Sequence, residues 1–389
     1  MFSFSGEMIL SKSWLNRAQI VYHFAQKSFP FQSEAEDVRH LKAAMTAVGN
    51  ESEFFLGQGG TSFRFFVFLI SRRAGSFKIF ADTQLLKRPQ GALLETLKQL
   101  GVTCETQENC FQIKSQGWSY HGPVTCDAGL SSQFVSGLLL SSWQLKSDLT
   151  VKVLKPVKSE EYLKMTIELL QQAGMKMEIK EEASFVSFTV FKDQAPDVSQ
   201  LVPEADISSA FSLAAASVVN GAVTITNWPQ KTSQPDMAFL SAFDQMQIKY
   251  EIAGKTLKVQ KHNTWRGCDM NVGSSPDLFP VLSVLCALGE GKSKLHGAAH
   301  LKVKESDRLA KTAELLKICG VRFEELSDGL IIYGQSFADK AKSLTFNPSG
   351  DHRMAMAAAL FKLHGFKLDI LDRECVAKSY PGFWSDVGL

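Results

Sequence analysis

The stretch Leu97-Lys98-Gln99-Leu100-Gly101-Val102 closes an apolar-periodic helical pattern on a glycine and turns into an alternating strand. The same phrase returns as Leu170-Gln-Gln-Ala-Gly174-Met, Phe243-Asp-Gln-Met-Gln247-Ile and Lys317-Ile-Cys-Gly320-Val. Positions 101, 174, 247 and 320 stand 73 residues apart each time, and a weaker copy ends at Gly49. Glycine is the expected residue just past a helix, because it takes the left-handed conformation cheaply. Gln247 alone breaks that rule.

A second pattern interleaves with the first. Segments 64–74, 210–220, 280–290 and 354–364 read as helices that stop at Gly75, Gly221, Gly291 and Gly365. Each then enters an alternating strand: Phe77-Lys-Ile-Phe, Val223-Thr-Ile-Thr, Ser293-Lys-Leu-His and Lys367-Leu-Asp-Ile. Two helices with their strands per repeat predict an α/β protein of five to six copies. The alternation gives each sheet one wet face and one face on helices. That disfavours a barrel with a filled centre and favours two lobes with helices inside and sheets outside. The polar, proline-bearing stretch 191–203 is the best interior linker, dividing the repeats about three plus three.

Composition excludes several classes. At 389 residues, two or three domains are expected. Lys+Arg 42 against Asp+Glu 40 leaves no broad basic field, so a nucleic-acid or membrane partner is not expected and any anion must meet locally gathered cations. The longest apolar run, 354–361, is too short to span a bilayer. The amino-terminal stretch carries Glu7 and no preceding basic residue, unlike a signal peptide. Seven scattered cysteines with no Cys-x-x-Cys pair read as reduced core residues of a cytoplasmic protein, with no metal site.

The informative residues are cations in disfavoured places. A helix N-terminus carries partial positive charge, so acidic residues suit its first turn and basic ones do not. This chain does the opposite at Ser11-Lys12-Ser13 with Arg17, at Gly60-Thr61 with Arg64, at Asp307-Arg308 and at Asp351-His352-Arg353. Each arrangement costs roughly a few tenths of a kcal/mol unless an anion sits there. Such an anion gains the free N–H groups, the dipole and a guanidinium grip. Several such sites imply a substrate with more than one phosphate or carboxylate. The glycine-rich Leu56–Thr61 loop lacks the Gly-Lys-Ser/Thr of a P-loop and the spacing of a dinucleotide fingerprint.

Taken together, these motifs resemble the 5-enolpyruvylshikimate-3-phosphate synthase family of enolpyruvyl transferases. The resemblance runs from Ser11-Lys-Ser-x-x-Asn-Arg17 through Leu56-Gly-Gln-Gly-Gly-Thr-x-x-Arg64, Arg88-Pro89 and Ser131-Ser132-Gln133. It continues through Val303-Lys-Glu-Ser-Asp-Arg308, Asp351-His-Arg-Met-Ala-Met356 and Ala377-Lys378. It implies a two-lobed inside-out α/β barrel of six βαβαββ repeats, three per lobe. One lobe would span 10–202, the other 1–9 with 203–389, and the active site would lie in the cleft between them.

The resemblance also implies roles. Phosphoenolpyruvate would be held by Lys12, Gly60, Arg88, Gln133, Arg308, Arg353 and Lys378. Shikimate 3-phosphate would be held by Ser13, Arg17, Ser131, Ser132, Gln133, Ser159, Tyr162, Asp277, His300 and Lys304. Asp277, Glu305, Lys12 and His352 would carry the chemistry. The 5-hydroxyl of shikimate 3-phosphate would add to C2 of phosphoenolpyruvate, and phosphate would leave from a tetrahedral intermediate. No cofactor or metal is implied, and the chain is expected to be a monomer sensitive to glyphosate. Leu10, Gln58, Phe65 and His300 depart from the family pattern. Two other readings stay open: the same transfer to another acceptor such as a UDP-amino sugar, and a catalytically silent anion-binding paralogue.

Overall fold

Alternating segments pair into small sheets, and the wholly apolar segments become buried helices. The computed structural model describes residues 1–337 and 340–389. By contact the chain divides into two units, residues 12–203 and residues 1–11 with 204–389. Leu10 and Ser11, assigned above to the first lobe, belong to the second unit. Leu10 bridges Ala205, and the Ser11 N–H donates to the Glu204 carbonyl.

Four sheets of four strands share one wiring. In residues 12–203, Glu53–Phe55 pairs in parallel with Ala74–Phe80, which pairs antiparallel with Cys110–Gln116 and through it with Thr103–Thr106. Val124–Asp127, Leu149–Leu154, Phe185–Val190 and Met177–Glu181 repeat that order. In the other unit, Phe2–Gly6, Gly221–Ile225, Thr256–Gln260 and Tyr250–Ala253 repeat it again. So do Asp269–Asn271, Gly291–His296, Gly329–Gly334 and Arg322–Leu326. A fifth sheet has only the parallel pair Leu344–Phe346 and Leu368–Ile370. The expected six repeats are thus four full copies and one cut to βαβ among the described residues. The helices Lys12–Phe24 and Glu36–Ala47 precede the first copy without strands of their own.

Each copy has two kinds of helix. The first kind, Gly60–Ser71, Gln133–Leu140, Ile207–Asn220, Phe279–Leu288 and His352–Leu363, begins every 72 to 74 residues and is buried almost throughout. Apolar on all sides, such helices are stable only when surrounded. The copy at Gln133–Leu140 escaped the sequence pattern because it ends at Ser141-Ser142 and not at glycine. The second kind is amphipathic and stops at the 73-residue marks. Gly101, Gly174 and Gly320 all have positive φ, and Gln247 takes the same conformation at φ 59°. The position demands the left-handed turn whatever residue fills it.

Candidate active site

In residues 12–203 most of the expected site side chains lie near helix starts. Lys12 opens its helix and donates to Asp37 at 2.8 Å. The same carboxylate lies beside Gly59, where an added Cβ would meet it at 2.7 Å. Gly60 opens the next helix, with the Arg88 Nη1 3.0 Å from where its Cβ would stand and the Gln133 Oε1 at 3.7 Å. Gln133 accepts from Arg64 and donates to Thr61 at 2.8 Å. Its backbone N–H donates to Ser131 Oγ at 3.2 Å. Ser132 Oγ donates to the Ser159 carbonyl at 3.0 Å, and Ser159 is held in a left-handed conformation just before the helix carrying Tyr162.

Arg17 ties this cluster together. It donates to Thr166 Oγ1 at 2.7 Å, the Ser13 carbonyl at 2.8 Å and the Tyr162 carbonyl at 2.9 Å, and lies over the Phe65 ring. Those acceptors are neutral, and burial pulls the Arg17 guanidinium down to about 10. Phe65, one of the departures from the family pattern, is thus the floor under this cation. Gln58, another, is exposed and donates to Asp82 Oδ2 at 3.5 Å.

The other unit gathers a second cluster around Arg308, whose guanidinium is buried. Nε donates to Asp351 Oδ2 at 2.8 Å, Nη1 to Asp277 Oδ1 at 2.7 Å and Nη2 to Glu305 Oε2 at 3.1 Å. Lys378 donates to the other Glu305 oxygen at 2.9 Å. Arg353 contacts Asp277 Oδ2 at 3.5 Å and hydrogen-bonds Ser208 at a helix start. Its Nε and Nη1, both buried, have no hydrogen-bond partner among the described residues. Asp351 caps its helix by accepting from the Arg353 N–H, and also accepts from Ser306.

Electrostatics follow from this packing. Burial would push Asp277 up, but Arg308, Arg353 and Lys304 overcome it and hold the carboxyl below the usual range. Burial would lower Arg308, but Asp351, Glu305 and Asp277 raise it instead. Arg353 is likewise lowered by burial and raised more by Asp277, Asp206 and Asp236. Asp277 keeps 28% of its side-chain surface exposed, so its carboxylate is reachable.

The structure therefore brings Lys12, Ser13, Arg17, Gly60, Arg88, Ser131, Ser132, Gln133, Ser159 and Tyr162 into one cluster, and Asp277, Lys304, Glu305, Arg308, Arg353 and Lys378 into another. His352 starts the helix that carries Arg353 and is buried against Asp351. His300 is buried in the short helix Ala299–Val303 that precedes Lys304. Sequence reasoning left Asp37, Ser208 and Asp351 without roles. Asp351 could have been found as the capping residue of its own motif, and Asp206 caps the helix of Ser208. Nothing in the local sequence marks Asp37 as the partner of Lys12.

The fold is that of solved enolpyruvyl-transferase structures. An EPSP synthase from Acinetobacter baumannii superposes with a TM-score of 0.73 at 22% identity, covering 100% of this chain and 95% of that one. The enolpyruvyl transferase NikO from Streptomyces tendae superposes with a TM-score of 0.72 at 15% identity, covering 100% and 94%. The family described as EPSP synthase (3-phosphoshikimate 1-carboxyvinyltransferase) matches residues 30–387. Curated relatives named 3-phosphoshikimate 1-carboxyvinyltransferase are 32% identical in Methanocorpusculum labreanum, over 84% of this chain and 76% of the relative. In Syntrophobacter fumaroxidans the identity is 33%, over 85% and 78%. The chain belongs to the EPSP synthase family.

Proposed function

We propose that this chain transfers the enolpyruvyl group of phosphoenolpyruvate to the 5-hydroxyl of shikimate 3-phosphate, releasing phosphate. One observation carries the residue assignment. Asp277, Glu305, Arg308, Arg353 and Lys378, spread over a hundred residues, form a single hydrogen-bonded cluster. Its guanidiniums and ammonium suit a phosphate and a carboxylate. Lys12, Gly60, Arg88 and Gln133 complete the phosphoenolpyruvate ligands. Ser13, Arg17, Ser131, Ser132, Ser159, Tyr162, His300 and Lys304 hold shikimate 3-phosphate.

In the mechanism, Asp277 accepts the 5-hydroxyl proton as its oxygen bonds to C2. The C2–C3 π electrons take a proton at C3, supplied through Lys12 or Glu305. Elimination then reverses the proton at C3 while the C2–O bond to phosphorus breaks. Arg308 and Arg353 hold Asp277 strongly anionic before substrates arrive. Once they turn toward the ligand's phosphate, Asp277 loses part of that stabilisation and becomes the stronger base. Clamping of the departing phosphate supplies the largest share of the rate.

We read the fold as an inside-out barrel in each lobe, a reading supported by the fully buried first helices. We also read the chain as a cytoplasmic monomer without a nucleic-acid partner; no helix among the described residues is long and apolar enough to cross a membrane. Transfer to a UDP-amino sugar, which in related enzymes goes with a reactive cysteine on a mobile loop, is disfavoured. The candidates Cys104, Cys110 and Cys126 lie in the strands Thr103–Thr106, Cys110–Gln116 and Val124–Asp127, and burial pushes Cys104 and Cys126 up to about 12. Steady-state phosphate release with phosphoenolpyruvate plus shikimate 3-phosphate, against UDP-N-acetylglucosamine, tests the assignment. Release with the sugar alone would overturn the acceptor, and release with neither would favour the silent paralogue.

A further inference from the structure

Of the free cysteines, Cys268 and Cys286 face one another, with their sulfurs 3.7 Å apart. Cys268 immediately precedes the strand Asp269–Asn271, and Cys286 lies near the end of the buried helix Phe279–Leu288. The Cys268 backbone is pinned at both polar atoms: its N–H donates to Ser293 Oγ at 3.2 Å and its carbonyl accepts from Lys294 at 2.8 Å. Cys268 also borders an open concavity flanked by Lys292 and Lys294. The two thiols share a hydrogen bond; it and burial push Cys268 up from its ordinary value, while the same bond and Ser293 pull Cys286 down against the effect of burial. The transfer chemistry uses neither thiol.

We infer that Cys268 and Cys286 form a reversible dithiol–disulfide pair, oxidised by a hydroperoxide that enters through this concavity. Cys268, at the mouth, attacks the near peroxide oxygen as its thiol proton comes off. The O–O bond breaks, and the departing hydroxide takes the thiol proton as water. The Cys286 thiolate then attacks the Cys268 sulfenic sulfur, and the second hydroxide leaves as water with the remaining proton. Two thiols lose two electrons, and one hydrogen peroxide becomes two waters. Closing from 3.7 Å to a disulfide bond of about 2.05 Å is a movement of about 1.7 Å, within reach of side-chain rotation. The bridged segment carries Asp277 at its midpoint, so the modification ties the site carboxylate into a closed loop.

The test is thiol mapping of the full chain after hydrogen peroxide. Alkylation and mass spectrometry should show five modifiable cysteines in place of seven, and one cross-linked peptide pair containing Cys268 and Cys286. Dithiothreitol should restore all seven. In Cys286→Ser the reaction should halt at a Cys268 sulfenic acid that dimedone traps. Seven thiols still open to alkylation, loss mapped to other cysteines, or sulfinic acid at Cys268 with Cys286 untouched in the wild-type chain would each overturn the assignment.

Discussion

Asp351 is worth more than its place in a motif suggests. It caps one helix and accepts from Arg308 through both oxygens, while fully buried. Removing it leaves the buried Arg308 Nε without its acceptor while Asp277 and Glu305 still hold the other nitrogens, so Asp351→Ala should destabilise the chain by about 1–3 kcal/mol in urea unfolding. Misplacing Arg308 should also lower kcat/KM by about 100-fold or more in the phosphate-release assay. Gly60→Ala is the second residue-scale prediction. Its methyl would stand 3.0 Å from Arg88 Nη1, so Arg88 must give by a few tenths of an ångström. Phosphoenolpyruvate, the shorter ligand, should tolerate that with a modest rise in KM. Glyphosate, longer and anchored by the same cations, should lose far more affinity; parallel inhibition constants for both proteins decide it. At this scale the cations were legible because basic residues at helix starts break an electrostatic rule. Asp37 was not, because a carboxylate 25 positions from Lys12 in sequence carries no local sign of its partner.

The helix ends show what periodicity carries and what it leaves out. The 73-residue spacing was readable because each amphipathic helix must end in a left-handed residue, and glycine usually marks it. Gln247 obeys the conformation without the marker. A side chain there costs about 1–2 kcal/mol, partly offset by glycine's greater freedom in the unfolded chain. Gln247→Gly should therefore stabilise by about 0.5–1 kcal/mol, seen as a higher urea midpoint with unchanged slope. The missing strands of the shortened copies were not legible, because the helical phrases persist there without a complete sheet. The wholly buried helices were only partly legible, since an apolar run without a polar stripe fixes neither its face nor its ends. Their starts matter most. Gly60, Gln133, Ser208 and Arg353 all lie in the first turns of such helices, and Asp277 lies just before another.

For the molecule as a whole, acid should act through the Arg308 cluster. Asp277 is held below its unfolded value near 3.9, so its contribution is complete above about pH 4. It fades as pH falls further toward the native value. Urea midpoints measured from pH 6 to pH 3 should fall below pH 4, and Asp277→Asn should flatten that limb. A variant as acid-sensitive as wild type would remove Asp277 from the account.

The bare nitrogen edge of Arg353 has a thermodynamic corollary. Two buried donors without acceptors among the described residues are groups whose desolvation a ligand oxyanion would offset. If the proposed phosphoenolpyruvate contact with Arg353 holds, the substrate's oxyanion would act as a late structural component. Phosphoenolpyruvate at 100 times its dissociation constant should add about 2.7 kcal/mol and raise the melting temperature accordingly. Arg353→Lys keeps the charge but not the planar donor pair. It should melt near the wild-type temperature when empty and gain little when phosphoenolpyruvate is added, separating the shape of the cation from its sign.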